Sequence, residues 1–146
     1  MRSDIPPFPL CWPQGIPRTT RLQTSQFRTP LGGAIKNVEK SLSMFGSDSD
    51  KPVSAVVVTS NVNGLTTRAP DDVGVAIWFD WAGGRRCIAV DRYKKVADNL
   101  QAIHHVIEAD RVKLRHAGIE MVKASYRAYR DRGWNPDAGP SFTGSR

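Results

Sequence analysis

The feature that most restricts this chain is the run Gly74-Val75-Ala76-Ile77-Trp78-Phe79 with its continuation, Asp80-Trp81-Ala82-Gly83-Gly84-Arg85 and then Arg86 to Val90. Val75, Ile77 and Phe79 alternate with Gly74, Ala76 and Trp78, the period of two expected of a strand with one buried face. The adjacent glycines supply the positive φ angles of a tight reversal, so Arg86 to Val90 returns as a second strand. Beyond it Val96, Leu100, Ile103, Ile107 and Leu114 fall at helical spacing, with one gap at Asp110-Arg111. They predict a long amphipathic helix. A hairpin that runs into such a helix needs a sheet with helices laid on it.

The flanking segments extend that picture. Thr29-Pro30 reads as a helix start, and Leu31, Ile35, Val38, Leu42 and Phe45 share one face of the helix it opens. Gly46 and the acidic, serine-rich run to Asp50 are expected to end it. Ala55-Val56-Val57-Val58 is β-branched and apolar on both faces, which predicts a strand at the centre of the sheet. Gly118 breaks the long helix, and Ile119, Val122, Tyr126 and Tyr129 predict a shorter C-terminal one. The fold class is α+β: a three-stranded, mostly antiparallel sheet packed by two main helices plus the short C-terminal helix. At 146 residues the chain has the length of one domain, placed at residues 30–132. Residues 1–29 form an extended proline-rich arm that lays Phe8 and Trp12 on the core or docks to a partner. Residues 133–146 read as a flexible tail.

Charge sets the classes of partner. A formal net charge of +7 favours phosphate backbones or acidic proteins. Arg18, Arg21 and Arg28 are interleaved with Thr19, Thr20, Thr24 and Ser25, donors that suit phosphate oxygens. Arg92, Lys94 and Lys95 crowd the entrance of the long helix, and Arg111, Lys113, Arg115 and His116 its end. On the last helix Lys123, Arg127 and Arg130 sit at steps of four and three beside Tyr126 and Tyr129. A basic row next to aromatics can track a phosphate backbone; a solvated face explains it equally well. Arg85, Arg86, Lys123, Arg127 and Arg130 are the expected nucleic-acid contacts. Trp81 at the hairpin tip and Trp134 beyond the last helix are expected to be exposed, which would suit a protein-binding regulator instead. Cys11 and Cys87 are too few for a disulfide framework and are expected to be reduced. With no secretory signal and no apolar run near 20 residues, the expectation is a cytoplasmic protein that does not engage a membrane.

Catalytic signatures are sparse. The three histidines, His104, His105 and His116, all lie in or at the end of the long helix, and no Cys-x-x-Cys or His-Glu-x-x-His occurs. Gly83-Gly84 lacks the Gly-Lys-Ser/Thr of a phosphate loop. The alternative is a magnesium-dependent nuclease that gathers Asp71, Asp80, Asp91 and Asp98 from strand and helix ends. Each aspartate is also explained as a cap or turn former. No catalytic residue is assigned, and no cofactor is expected outside that alternative. The loop from Asn61 to Asp72 is the first place to expect a binding site.

Several strings carry a family likeness. Phe8-Pro9-Leu10-Cys11-Trp12-Pro13 with Arg18-Thr19, Pro70-Asp71-Asp72-Val73-Gly74-Val75-Ala76 and Ala89-Val90-Asp91-Arg92-Tyr93 resemble a module of phage and prophage proteins of alphaproteobacterial type. So do Thr59-Ser60-Asn61-Val62, Asp98-Asn99-Leu100-Gln101-Ala102-Ile103 and Gly118-Ile119-Glu120-Met121-Val122. Those proteins commonly carry a C-terminal J-domain. This chain has no His-Pro-Asp tripeptide, only Asn135-Pro136-Asp137 without flanking helices, so the resemblance implies a mobile-element context and not co-chaperone activity. Asp98-Asn99-Leu100 opening a helix, with an N-terminal Trp12-Pro13, is also similar to Rus-type junction resolvases. There Lys95-Val96-Ala97 stands where the paired acids would be. The sequence therefore implies a non-catalytic accessory protein binding nucleic acid or a nucleic-acid-processing complex, with the nuclease and the protein-binding regulator as alternatives.

Overall fold

A computed structural model describes residues 5–65, 69–129, 133–136 and 138–139. Its elements run α1 (Leu31–Ser49), β1 (Ser54–Ser60), β2 (Val75–Trp81), β3 (Gly84–Val90), α2 (Val96–Ala117) and α3 (Ile119–Ala124). The three strands form one antiparallel sheet in the order β1-β2-β3, so the expected α+β class holds. Among the described residues no helix is long and apolar enough to cross a membrane.

The hairpin turn is tighter than the two glycines suggested. Trp81 pairs with Gly84, which leaves Ala82 and Gly83 as the only turn residues, at φ 51° and 77°. Positive φ at both central positions is the two-residue geometry that matches strand twist. Gly83 adopts it freely, and Ala82 takes a left-handed position that an L-residue adopts at some cost.

Alternation along β2 builds two cores. Val75, Ile77, Phe79 and Trp81 face α1 and α2, where they meet Val38, Leu42, Phe45, Leu100, Ile103 and Ile107. Each such side chain taken from water contributes about 1.5–3 kcal/mol. Ala76 and Trp78, on the opposite face, pack with Ile5 and Cys11 of the N-terminal segment, flanked by Tyr129 and Trp134. Both faces of β2 are thus buried, and β2 rather than β1 is the central strand. The expectation for Ala55-Val56-Val57-Val58 is corrected: β1 is an edge strand, with Ser54, Ala55 and Val56 exposed. Ala55 has φ 52°, and the register to β2 shifts between Ser54 and Val57. A bulge of this kind blunts an exposed edge against further pairing. The β-branched string reflects strand propensity, not burial.

The helices differ from expectation at their ends. Gly46 lies inside α1, and the helix closes only at Asp50, whose left-handed backbone (φ 56°) donates to the Gly46 and Ser47 carbonyls. A Cβ at Gly46 would stand 3.3 Å from both Val53 Cγ2 and Val53 N, so the glycine permits close packing of the chain beyond the helix. Pro30 is the N-cap, its carbonyl accepting from Ala34 N at 2.9 Å. Gly118 (φ 88°) does end α2. Side-chain pairs order the two long helices: Asn37 donates to Gln101 at 3.1 Å, and Arg111 holds Asp48 at 2.6 Å. Early pairs with early and late with late, so α1 and α2 run in the same direction and their N-termini share one end of the molecule.

The N-terminal segment is held by β1 and β2 and by residues 133–135. Cys11 N donates to Thr59 Oγ1 at 3.0 Å, Ser60 N to Pro7 O at 3.0 Å, and Trp78 Nε1 to Cys11 O at 3.0 Å. Trp12 is buried, whereas Phe8 is half-exposed. Gln14 N donates to Gly133 O and Asn135 N to Trp12 O, so residues 133–135 begin not as a loose tail but as a partner of the arm.

Candidate nucleic-acid interface

The structure relocates the cationic residues. Arg85 and Arg86 stand on β3 next to the turn, yet they are only 4% and 6% exposed. Arg86 closes the hairpin from within: Nε donates to Trp81 O at 3.0 Å, Nη2 to Ala82 O at 3.0 Å and Nη1 to Tyr126 O at 3.4 Å. Arg85 lies over the Trp78 ring, 5.7 Å from its centroid, and its carbonyl accepts from Tyr129 N. As exposed phosphate contacts these two are corrected: the carbonyls around the turn need an internal donor, and a guanidinium supplies several at once.

The basic stripe on the last helix is corrected as well. α3 ends at Ala124, and Tyr129 bridges to Arg85 in an extended backbone, so Lys123 and Arg127 do not share a helical face. Lys123 lies 3.8 Å from Glu120, and Arg127 is exposed with Nη1 donating to Gln14 O at 3.4 Å. Arg130 lies outside the described residues. Tyr126 turns inward against Phe79 and Trp81 and donates to Asp110 at 2.6 Å.

Neither tryptophan offers the expected exposed anchor. Trp81 is 1% exposed, packed on Phe45 and donating to Ser49 Oγ at 3.0 Å. Trp134 is half-buried beside Trp78 and bridges Pro13. Turn position implied exposure only if nothing covered the hairpin, and α1 covers it.

The aspartates do not gather. Asp80 sits at the turn end of the hairpin and Asp91 just past its opposite end. Asp91 accepts from Arg18 Nε at 2.8 Å and Thr19 N at 2.9 Å, and Asp98 is buried in the first turn of α2. Asp71 is exposed in the preceding loop. Among the described residues no three His, Cys, Asp or Glu side chains come together to hold a metal. Asp98 keeps its expected first-turn place, whereas Asp91 anchors the arm instead of capping α2. Thr66, Thr67 and Arg68 of the Asn61–Asp72 loop lie outside the described residues.

A different surface emerges where the arm crosses the entrance of α2. Gln23 N donates to Arg92 O at 2.8 Å and Lys94 N donates to Gln23 O at 3.2 Å, a parallel bridge that lays the arm against Arg92 and Lys94, with Arg21 two residues before the crossing. Lys95 is the N-cap of α2. Phe27 stacks on His105 (centroids 5.3 Å, planes 21° apart) and meets Tyr93 edge-on at 5.6 Å, which seats Arg28 beside the same helix. Arg21, Arg28, Arg92, Lys94 and Lys95 are all exposed, and among the described residues none forms an ion pair. Arg18, Arg111, Lys113 and Lys123, by contrast, are each matched to acids.

The parallel helices aim their N-termini at this end, where the macrodipoles add partial positive charge. α1 has no acid in its first turn, and α2 has only the buried Asp98. Beside Arg92, Arg18 pairs with Asp72 at 2.5 Å and Asp91 at 2.8 Å, so one cation offsets half the charge of these two inward-turned carboxylates. Burial alone would lower the Arg18 pKa, but its bonds to those carboxylates outweigh that and raise it. The exposed balance is strongly positive. In the sequence the arm arginines and the Arg92-Lys94-Lys95 cluster stand apart; the Gln23–Tyr93 bridge and the packing of Phe27 on Tyr93 and His105 bring them together.

No protein-family model matches this chain, and no curated protein or solved structure shows significant similarity to it.

Proposed function

We propose that this protein is a non-catalytic accessory module that binds nucleic acid, or a nucleic-acid-processing assembly, through Arg21, Arg28, Arg92, Lys94 and Lys95. The supporting observation is the convergence of five exposed cations, without acidic partners among the described residues, at an end that also receives two helix N-termini. Unpaired surface cations release counterions on meeting a phosphate backbone, and that release drives sequence-independent binding. The likeness to phage and prophage proteins supplies the biological setting, a mobile element, for such a module.

The test is fluorescence anisotropy with labelled DNA at low salt. Arg21, Arg92, Lys94 and Lys95 are replaced together by alanine. The control replaces Lys40, Lys51, Arg115 and Arg127, which removes the same charge from other surfaces. Loss of binding in the first variant but not the second is the expected result. Equal loss in both would reduce the effect to net charge and remove this surface from consideration. Absence of binding by the parent protein would end the nucleic-acid reading.

A further inference from the structure

The cationic patch is not purely ionic. Tyr93, Phe27, His105 and His104 form a continuous row of rings, with successive centroids 5.6, 5.3 and 5.2 Å apart. Tyr93 and Phe27 are half-buried and His105 is exposed, so the row reaches the surface among Arg28, Arg92, Lys94 and Lys95. Its components come from three places in the chain: the arm, the link between β3 and α2, and the third turn of α2 itself.

The row is also held rigidly. Asn99, fully buried, fixes Tyr93 at both its backbone groups and reaches Val73 O at 2.9 Å. Phe27 N is bonded to Ser25 Oγ at 3.1 Å, and the arm is clamped by the Gln23 bridge. A ring platform that is ordered before binding loses little entropy when a planar partner settles on it.

Resting on the nucleic-acid reading of this same surface, we propose that the preferred ligand is single-stranded, with an unpaired base stacking on the exposed His105 ring, which Phe27 backs from the other side, while the flanking phosphates lie on Arg28, Arg92 and Lys94. A duplex keeps its bases stacked on one another and offers this surface only phosphates. A single strand offers both groups, and stacking tolerates any base because every base has a π-face. The rings explain why the arm places an aromatic beside its arginine here, where a purely electrostatic site would need cations alone.

The experiment compares a thymidine oligonucleotide of about 16 residues with a duplex of similar length, and a uridine oligonucleotide as the RNA counterpart. The parent protein, Phe27→Leu, His105→Ala and the Arg92→Ala/Lys94→Ala double variant are measured against each. Thermal melting confirms that the variants fold, and exposed His105 provides a substitution with little structural burden. The expected result is tighter binding of single strands, a loss of roughly 5- to 150-fold for single strands in Phe27→Leu or His105→Ala, and little change for duplex. The cationic double variant should weaken both. If the double variant weakens both while the ring variants bind single strands as the parent does, stacking is refuted and the nucleic-acid reading survives. If the parent binds none of the three, both readings fall.

Discussion

The Asn99 side chain imitates a strand partner for Tyr93: its Oδ1 accepts from Tyr93 N at 2.7 Å and its Nδ2 donates to Tyr93 O at 3.0 Å. A second Nδ2 bond reaches Val73 O just before β2, so one amide ties the start of the central strand to the entrance of α2. Asn99 is 0% exposed. Asn99→Leu keeps approximate volume and leaves the Tyr93 and Val73 backbone groups without that partner. It should cost about 1–3 kcal/mol for each group left unsatisfied, read as a lower urea midpoint. Because Tyr93 lies between Arg92 and Lys94, the folded fraction should also bind DNA more weakly.

Arg18 joins four separated parts of the chain. It bonds Asp72, Asp91 and Ala138 O and lies 4.4 Å over the Trp12 ring. Its side chain is 4% exposed and that of Asp91 8%, so Arg18→Ala would strand a buried carboxylate. The expected loss is about 3–5 kcal/mol in chemical denaturation, with faster proteolysis near Pro17. Arg18→Met combined with Asp91→Leu should lose less than the single change, since no unpaired charge remains at Asp91. A single variant as stable as the parent would contradict the clamp.

Arg86 separates structural cations from those proposed to bind. Each of its three nitrogens donates to a backbone carbonyl, at the hairpin turn or at Tyr126. Arg86→Met should cost about 1.5–3 kcal/mol and leave the DNA affinity of the folded protein unchanged. Altered affinity at full folding would return the hairpin to the interface.

How much of this could be read from the sequence depends on the range of the interaction. Val75-Ala76-Ile77 alternation and the Val96–Leu114 spacing are local, and they predicted β2 and α2 within a few residues. That β2 and not β1 has both faces buried depended on residues 5–12 returning to cover Trp78, a contact no local pattern carries. Tyr126 and Tyr129 kept helical spacing beyond the point where the backbone left the helix to meet Arg85. The basic stripe failed for the same reason. Charge alone could not tell Arg86, enclosed by carbonyls, from Arg92, open to solvent, and the proposed interface was visible only as two unconnected clusters.

Alkaline pH should unfold the protein through its tyrosines. Burial, then the nearby Asp110 charge and hydrogen bond, push the Tyr126 hydroxyl far above its ordinary value. Burial and the neighbouring Cys87 push Tyr129 up to about 12, and burial raises the Cys87 thiol. Unfolded tyrosine ionises near pH 10 and unfolded cysteine near 8.5. Below those values both states hold their protons and stability is full. Above them the unfolded chain releases protons that the folded one retains, so stability falls as pH rises. Urea midpoints should decline between about pH 9 and pH 11. Tyr126→Phe should start lower at neutral pH, having lost the Asp110 bond, and decline less steeply. A parallel decline in both proteins would show that Tyr126 does not carry the effect.

Salt provides the most quantitative check on the interface. Each phosphate neutralised on a single strand contributes about −0.7 to the slope of log K against log salt, and about −0.9 on a duplex. If Arg21, Arg28, Arg92, Lys94 and Lys95 all engage phosphate, the slope should approach about −3.5 for single strands. Removing Arg92 and Lys94 together should then flatten it by about 1.4. A stacking contact involves no counterion, so Phe27→Leu should lower affinity at every salt concentration and leave the slope where it was. The two classes of variant therefore separate cleanly on one plot: cations change its gradient, rings its height. A flattened slope in Phe27→Leu would mean that the ring acts only by positioning Arg28.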